Sequence, residues 1–197
     1  MDYCVLNSLT VRDTYPLPLI NTILDQLQGK TLFTKFNICW GYNNIWIREE
    51  DQWKAAFKTP FGLYQLRVMF FGLTNSTVTF CRAMARMFCN LINKYPTKLF
   101  VYMDDILIAT KDNLDHHRQI VDDILELLAK ESYFLRPSKC IFKQTWIKYL
   151  GVIVDGNKLA ADPVKIEGLK DWPRTLNKVK EVRSVLGQPM FCHGLCR

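Results

Sequence analysis

Two adjacent acids, Asp104 and Asp105, lie between two short apolar runs within residues 98–109. The β-branched and aromatic residues on either side predict two buried strands, and residues 103–105 predict the tight turn that joins them. Carboxylates at the edge of a hydrophobic sheet are unfavourable unless a cation or a hydrogen-bond donor compensates them. A bound Mg²⁺ ion is a suitable cation, because it prefers hard oxygen ligands. The pattern is compatible with a metal site, and an ordinary acidic hairpin turn is the alternative.

A second acid pair, Asp122 and Asp123, provides an internal comparison. It lies in a segment whose apolar residues recur at helical spacing, so both acids fall on the polar face. We interpret this second pair as solvated helix surface. Of the two pairs, the one at residues 104–105 has the pattern that favours a functional site.

The chain has 197 residues, of which 49% are hydrophobic and 23% are charged, and this suits one sizeable core. No apolar run is long enough to span a bilayer, and the first residues lack the basic and apolar regions of a signal peptide. We therefore expect no membrane partner and an intracellular location.

The seven cysteines include no Cys-x-x-Cys pair, which favours reduced thiols. Residues 192–196 resemble only half of a zinc site.

The net charge of +7 favours a polyanionic partner such as a nucleic acid. Basic residues are spread over much of the chain, with aromatic residues among them. A solubilising basic surface explains the same charge equally well. Charge alone therefore does not decide between these two interpretations.

Hydrophobic periodicity predicts an alternation of strands and helices. A short amphipathic helix over residues 16–28 is expected to end at Gly29, and a strand follows over residues 31–38. Asn75 is expected to cap a long helix with one apolar face. The remaining predicted strands cover residues 43–47, 53–59, 64–69 and 149–154, and the remaining helices cover residues 114–129 and 176–186. The expected fold class is α+β, with helices on one face of an antiparallel sheet.

A series of ordered motifs extends along nearly the whole chain. They are Phe33-Thr34-Lys35-Phe36-Asn37 followed by Gly41-Tyr42, Phe71-Gly72-Leu73-Thr74-Asn75, Tyr102-Met103-Asp104-Asp105, Leu135-Arg136-Pro137-Ser138-Lys139-Cys140 and Tyr149-Leu150-Gly151, preceded by residues 1–7 and 15–20. In this order and spacing they resemble the reverse transcriptase domain of gypsy-class (Metaviridae-type) LTR-retrotransposon polyproteins. The resemblance implies a polymerase palm with partial fingers and the start of a thumb.

The resemblance also implies a reaction, RNA-directed DNA polymerisation. In this reaction a primer 3′-hydroxyl attacks the α-phosphate of a dNTP, and two Mg²⁺ (or Mn²⁺) ions stabilise the attacking and leaving oxygens. The implied partners are an RNA or DNA template with its primer, the dNTP, and other parts of a retrotransposon polyprotein.

Individual positions take roles by the same resemblance. Asp104 and Asp105 stand where the family has catalytic metal ligands, together with the main-chain carbonyl of Ile38. The other matching positions are Tyr42 and Phe71 at the nucleotide, Lys139 as a proton donor to pyrophosphate, and Leu150 and Gly151 in the primer grip. For Tyr42 and Phe71, plain core aromatic residues are the alternative.

Asn37 departs from the family pattern, because it stands where the first catalytic Asp is expected. An amide oxygen can ligate a metal ion but brings no negative charge, so the ions lose electrostatic attraction. Cysteine or tryptophan also stands at five positions where Arg is expected, namely Cys4, Cys39, Trp46, Cys89 and Trp146. Each of these changes needs a single C-to-T mutation on one strand or the other, which suggests a copy decayed by cytosine-directed mutation.

The expected division assigns residues 1–12 to a remnant of the fingers and residues 13–44 to the first part of the palm. Residues 45–75 are the second part of the fingers, residues 76–158 the second part of the palm, and residues 159–197 the start of the thumb or connection. The basic fingertip residues are expected to be missing. We therefore expect an impaired polymerase, with a non-catalytic nucleic-acid-binding remnant or an inert relic as alternatives.

Overall fold

The computed structural model describes residues 3–111, 113–156 and 158–161. In chain order the strands are β1 (Leu32–Asn37), β2 (Ala56–Thr59), β3 (Gly62–Gln65), β4 (Leu99–Tyr102), β5 (Asp105–Thr110), β6 (Ile141–Gln144), β7 (Trp146–Tyr149), β8 (Val152–Asp155) and β9 (Lys158–Ala161). The α-helices are α1 (Cys4–Leu9), α2 (Ile20–Leu27), α3 (Ser76–Lys94) and α4 (Leu114–Lys130). Short 3₁₀ helices cover Gly41–Asn44, Glu49–Ala55 and Pro137–Lys139. The described residues therefore have the predicted α+β class.

The centre of the fold is a four-stranded antiparallel sheet in the order β4-β5-β1-β6. β4 and β5 form the predicted hairpin around the acid pair, with Tyr102 opposite Asp105. β1 lies beside β5 in continuous register, from Leu32 opposite Thr110 to Asn37 opposite Asp105. This register brings the end of β1 next to the beginning of β5, which is where the acids lie.

The two long helices, α3 and α4, pack on one face of this sheet. Side chains alternate across a strand, so Ile106 and Ile108 face these helices while Leu107 and Ala109 face away. The helices contribute apolar side chains at helical spacing, namely Phe80, Met84 and Phe88 from α3 and Ile120, Ile124 and Leu128 from α4. Removal of this apolar surface from water is the main favourable contribution to the stability of the fold.

The opposite face of the sheet is covered by α2 and by a three-stranded sheet in the order β7-β8-β9. The buried contributors are Ile23, Leu24 and Leu27 from α2 and Ile147, Tyr149, Val152 and Val154 from β7 and β8. The two inner strands, β5 and β1, are therefore largely buried on both faces, whereas the edge strand β6 is exposed. This explains why β5 has an almost continuous apolar sequence, since both of its faces contact other elements.

The segment between β1 and α3 differs from the prediction. Residues 43–47 do not form a strand, because a 3₁₀ helix precedes an isolated bridge between Trp46 and Val68. β2 covers only the second half of the strand predicted at 53–59, and β3 is shifted from the strand predicted at 64–69, since it already begins at Gly62 and ends at Gln65. These two strands form a separate hairpin that is largely exposed. Its apolar residues therefore do not mark a core, which is why the apolar pattern placed the strand ends wrongly.

Residues 149–154, predicted as one strand, contain the end of β7, a turn and most of β8 instead. Leu150 and Gly151 take positive φ angles of 49° and 83°, and the chain reverses so that Tyr149 pairs with Val152. Gly151 adopts this conformation without the steric cost of a side chain. Both strands of the hairpin carry buried apolar residues, and the turn between them contains the apolar Leu150. The hydrophobic pattern therefore did not indicate a turn at this point.

Asn75 precedes α3 as predicted, but its side chain does not cap the helix. Its Nδ2 atom donates to the carbonyl of Val11 at 2.9 Å, and its Oδ1 atom accepts from the N–H of Asp13 at 3.1 Å. Asn75 therefore fixes the N-terminal segment to the beginning of α3.

Two sequence predictions lie outside the described residues, namely the helix at 176–186 and the half zinc site at 192–196. Within the part of the chain that the structure describes, no helix has both the length and the hydropathy needed to cross a bilayer. The cysteines of this part, at positions 4, 39, 81, 89 and 140, form no disulfide bond with one another.

Candidate active site

The turn of the β4–β5 hairpin presents both acids at one end of the central sheet. Met103 takes a positive φ angle of 53°, which places Asp104 in the turn and Asp105 at the first position of β5. The N–H of Ile38 donates to the main-chain carbonyl of Asp104 at 2.8 Å. The turn is thereby fixed to the end of β1.

The side-chain amide of Asn37 bridges the two acids. Its Nδ2 atom donates to Oδ2 of Asp104 at 2.8 Å and to Oδ1 of Asp105 at 3.0 Å. Asn37 is 5% exposed, and hydrogen bonds from an amide to carboxylates are strong in such a partly desolvated place. An Asp at this position has no N–H group to donate and adds a third negative charge.

Lys35 brings a positive charge to the same cluster. Its Nζ atom lies 3.1 Å from Oδ2 of Asp105, and the two side chains are only 17% and 23% exposed. The same Nζ lies 5.8 Å from the ring centroid of Tyr149. The sequence analysis missed this role of Lys35. The signal was available, because Lys35 and Asn37 are two residues apart in a strand and therefore share one face.

As arranged, these side chains do not form a metal site. A divalent ion needs oxygen atoms directed at it, whereas Asn37 directs its NH₂ group at both carboxylates. Both oxygens of Asp105 already have a partner, Asn37 on one and Lys35 on the other. Among the described residues, no cluster of three or more His, Cys, Asp or Glu side chains is placed to hold an ion. The amide of Asn37 and the ammonium group of Lys35 therefore compensate the negative charge of the acid pair.

The predicted motif at residues 135–140 lies beside the acid pair at the level of the main chain. The N–H of Arg136 donates to the carbonyl of Asn37 at 2.9 Å, and Leu135 forms a bridge with Ile38. Ile38 itself is 2% exposed, because its side chain belongs to the core. Lys139 is in the short 3₁₀ helix of this motif and is exposed.

Tyr42 lies in a group of three aromatic rings. Its centroid is 4.1 Å from that of Phe71 and 4.9 Å from that of Phe80, and its hydroxyl is 3.4 Å from Oγ1 of Thr77. Tyr42 is 6% exposed, whereas Phe71 is 75% exposed. The structure thus gives Tyr42 a core position and leaves Phe71 as the accessible ring of the group.

Leu150 and Gly151 form the turn of the β7–β8 hairpin. The adjacent Tyr149 is fully buried, and its hydroxyl has no hydrogen-bond partner among the described residues. Burial, together with the nearby Asp105 carboxylate and Tyr102, raises the pKa of the Tyr149 hydroxyl above its ordinary value. Tyr149 connects this turn to Lys35, a link that the sequence analysis did not predict.

The positions at which Cys or Trp replaces an expected Arg lie mainly on the surface. Cys4 and Cys89 are exposed and Cys39 is partly buried, while Trp46 and Trp146 are 71% and 54% exposed. Exposed positions are typical of Arg. The origin of these residues by cytosine-directed mutation stays a prediction.

Comparison with known proteins finds a matching family and several similar proteins. Residues 1–154 match the family described as "Reverse transcriptase (RNA-dependent DNA polymerase)". The chain is 32% identical over 189 residues to the Transposon Tf2-3 polyprotein of Schizosaccharomyces pombe. This alignment covers 95% of this chain and 14% of the polyprotein. It is 34% identical over 187 residues to the Retrovirus-related Pol polyprotein from transposon 297 of Drosophila melanogaster, with 95% of this chain and 17% of that protein covered. The chain thus spans less than a fifth of the length of these relatives.

Solved structures support the fold. The foamy viral protease-reverse transcriptase in complex with an RNA/DNA hybrid matches with a TM-score of 0.79 at 19% identity, over 97% of this chain and 25% of the other. A second structure of that protein, in complex with double-stranded DNA, matches with a TM-score of 0.83 at 19% identity, over 97% and 32%. The fold is that of a polymerase palm, and the gypsy-class resemblance of the motifs agrees with the retrotransposon relatives. The chain therefore belongs to the reverse transcriptase family.

Proposed function

We propose that this chain is part of a retrotransposon reverse transcriptase that binds primer-template but carries out nucleotidyl transfer slowly. The observation that carries the proposal is the amide of Asn37, which donates to both Asp104 and Asp105. Family membership supports RNA-directed DNA polymerisation as the inherited reaction. The other parts of a polyprotein are proposed partners, since the relatives are far longer than this chain.

Charge is the reason for the slow transfer. Reverse transcriptases generally use divalent metal ions, here Mg²⁺ or Mn²⁺. Asp104, Asp105 and Lys35 together carry a charge of −1, because two carboxylates oppose one ammonium group; an Asp in place of Asn37 makes the total −2. A rate loss of roughly 100- to 1000-fold corresponds to about 3–4 kcal/mol of transition-state stabilisation, a reasonable cost for one missing charge beside the reacting groups.

The remaining site residues have proposed roles that follow from their motifs. Asp104, Asp105 and the carbonyl of Ile38 are the proposed metal ligands of the inherited site, once the NH₂ group of Asn37 no longer occupies the carboxylates. Tyr42 and Phe71 are proposed to contact the nucleotide. The exposed ring of Phe71 supports this assignment for Phe71, and the buried Tyr42 packs directly against that ring.

Two further elements are assigned to the primer and the leaving group. Leu150 and Gly151 are proposed to contact the primer, and the link from Tyr149 through Lys35 to the acid pair supports this. Lys139 is the proposed proton donor to pyrophosphate. Its motif is held beside Asn37 by the hydrogen bond from Arg136.

Primer-template binding is supported by the net charge of +7 and by the neighbouring structures, which hold an RNA/DNA hybrid or double-stranded DNA. Binding of this kind releases counterions and therefore weakens as salt rises. Arg82 does not contribute as a free cation. It forms an ion pair with Asp13 at 2.6 Å, and its guanidinium lies 4.9 Å from the ring centroid of Tyr15.

The division into fingers (1–12 and 45–75), palm (13–44 and 76–158) and start of the thumb or connection (159–197) is part of the proposal. The separate β2–β3 hairpin, inserted between β1 and α3, supports a fingers segment there. An intracellular location is also proposed, and the lack of disulfide bonds among the described cysteines supports it.

Single-nucleotide incorporation on a labelled RNA–DNA primer-template tests the proposal. Wild type, Asn37→Asp and Asp104→Ala are compared under single-turnover conditions with Mg²⁺. We expect Asn37→Asp to incorporate faster than wild type by roughly tenfold or more, and Asp104→Ala to show no incorporation. A wild-type rate equal to that of Asn37→Asp contradicts the proposed impairment.

The alternative of a non-catalytic nucleic-acid-binding protein is separated from an inert relic by a binding measurement. Fluorescence anisotropy with the same primer-template at two salt concentrations should show affinity that falls steeply with salt. Asp104→Ala should bind as tightly as wild type or slightly more tightly, because it removes a negative charge. Absence of binding at low salt favours the inert relic.

A further inference from the structure

We propose that Lys35 is a built-in counter-cation that holds Asp105 in position and keeps the acid pair organised without a divalent ion. This makes Lys35 a positioning residue for the acid pair. The inference concerns the proposed polymerase site, and it rests on that proposal only in treating Asp105 as part of it.

The position of Lys35 follows from the strand pairing. Lys35 lies opposite Leu107, two pairs away from the pair of Asn37 with Asp105. The period of two in a strand places Lys35 and Asn37 on the same face. Asp105 consequently receives one group on each oxygen, with Nδ2 of Asn37 at 3.0 Å from Oδ1 and Nζ of Lys35 at 3.1 Å from Oδ2.

The ion pair is not an ordinary surface pair. The side chains of Lys35 and Asp105 are 17% and 23% exposed, whereas those of Arg48 and Glu50, a pair on the surface, are 81% and 75% exposed. Partial burial reduces screening by water and salt, so the interaction of the buried pair is stronger. Removal of one partner leaves the other charge incompletely compensated.

Tyr149 connects this ion pair to the β7–β8 hairpin. The ring of Tyr149 lies 5.8 Å from Nζ of Lys35, within the range of a cation–π interaction. Tyr149 is fully buried and stands next to the Leu150–Gly151 turn. Lys35 therefore contacts both the acid pair and the hairpin that carries the proposed primer grip.

Lys35 and a divalent ion compete for the same carboxylate. Nζ of Lys35 already interacts with Oδ2 of Asp105, so an ion that binds this oxygen has to displace the ammonium group or share the oxygen with it. Loss of the lysine charge should therefore destabilise the protein when no divalent ion is present, and should increase the effect of adding one. An ion pair with a purely structural role predicts the first effect without the second.

Thermal melting of the full chain in EDTA and in millimolar Mn²⁺ tests this inference. The variants are Lys35→Met, Lys35→Arg and, as a matched control, Lys54→Met, which removes the exposed ion pair with Asp51. In EDTA we expect Lys35→Met to melt about 5 °C below wild type. Mn²⁺ should recover at least half of this difference, while wild type, Lys35→Arg and Lys54→Met respond little.

A Mn²⁺ response of Lys35→Met no larger than that of wild type overturns the inference. If Lys35→Met does not fold, Lys35→Gln removes the charge while keeping a hydrogen-bond donor, and the same comparison applies. The measurement uses neither primer nor dNTP. A failure of the proposed polymerase function in the incorporation assay is therefore distinguishable from a failure of this inference.

Discussion

Asn37 lies directly opposite Asp105 in the pairing of β1 with β5, and its amide donates to the carboxylate of Asp105 at 3.0 Å. The same amide donates to Asp104 at 2.8 Å. One side chain therefore joins three elements of the site, namely the end of β1, the hairpin turn and the start of β5. The NH₂ group of this amide stabilises the acid pair, and unlike the amide oxygen it cannot ligate a metal ion.

His117 predicts a pH dependence of stability. It is fully buried in α4, where its Nε2 and Nδ1 atoms lie 2.7 Å and 2.9 Å from the hydroxyls of Thr34 and Thr110. Burial, with smaller contributions from Lys143 and His116, lowers the pKa of His117 to about 4. Because the folded pKa lies below the unfolded value of about 6.5, stability is complete above pH 6.5 and falls as the pH decreases toward 4.

Urea unfolding at pH 7.5 and at pH 5 measures this effect. We expect wild type to lose about 2 kcal/mol between these values. His117→Gln should be less stable at pH 7.5 but should lose much less between the two pH values. His116→Asn, which alters the neighbouring histidine, should keep most of the wild-type pH dependence, because burial is the larger cause of the lowered His117 pKa. Equal pH dependence in wild type and His117→Gln contradicts the assignment.

A Tyr→Phe substitution is expected to change the stability of the protein in opposite directions at Tyr149 and Tyr95. The buried hydroxyl of Tyr149 has no hydrogen-bond partner among the described residues, so Tyr149→Phe should be neutral or stabilise by up to about 1 kcal/mol. The hydroxyl of Tyr95 donates to Asp123 at 2.7 Å, so Tyr95→Phe should destabilise by about 1 kcal/mol. Chemical denaturation of the two variants decides the matter, and a clear destabilisation by Tyr149→Phe shows that its hydroxyl is bonded.

Gly41 permits the close packing of Tyr42 on Phe80. A Cβ atom at Gly41 would lie 2.6 Å from Cζ and 2.9 Å from Cε2 of Phe80, so Gly41→Ala has to displace this ring. We expect a destabilisation of about 1–3 kcal/mol. The double variant Gly41→Ala with Phe80→Leu should be more stable than the sum of the two single changes predicts. Additive effects of the two changes in equilibrium unfolding contradict a clash between the added Cβ atom and the Phe80 ring.

The acid hairpin and the two long helices were predictable, because their local patterns are strong. Apolar residues flank Asp104 and Asp105 on both sides, and helical spacing distinguishes the second acid pair. The structure places that pair on α4, where Asp122 is exposed and Asp123 accepts hydrogen bonds from Lys94 and Tyr95. The pattern therefore placed the second pair on a helix correctly, although Asp123 is partly buried and hydrogen-bonded rather than solvated.

The contacts inside the site were less predictable, because they depend on pairing between distant segments. The motif pointed to Asn37 as a departure from the family. It could not show that the amide donates to carboxylates 67 and 68 residues away. In and beside the β2–β3 hairpin, exposed apolar residues such as Trp53 and Tyr64, which are 65% and 50% exposed, imitate a core pattern. Burial depends on the tertiary fold, so local periodicity alone misplaced the strand ends there.

Divalent-ion binding by wild type and Asn37→Asp tests the central claim most directly. Titration with Mn²⁺, followed by electron paramagnetic resonance, reports the free ion and needs neither primer nor nucleotide. Replacing the amide with a carboxylate removes two hydrogen bonds to the acids and adds a negative charge beside them. Asn37→Asp should therefore bind Mn²⁺ at least about tenfold more tightly than wild type. Equal affinity of the two proteins for Mn²⁺ contradicts the claim that Asn37 occupies the acid pair in place of a metal ion.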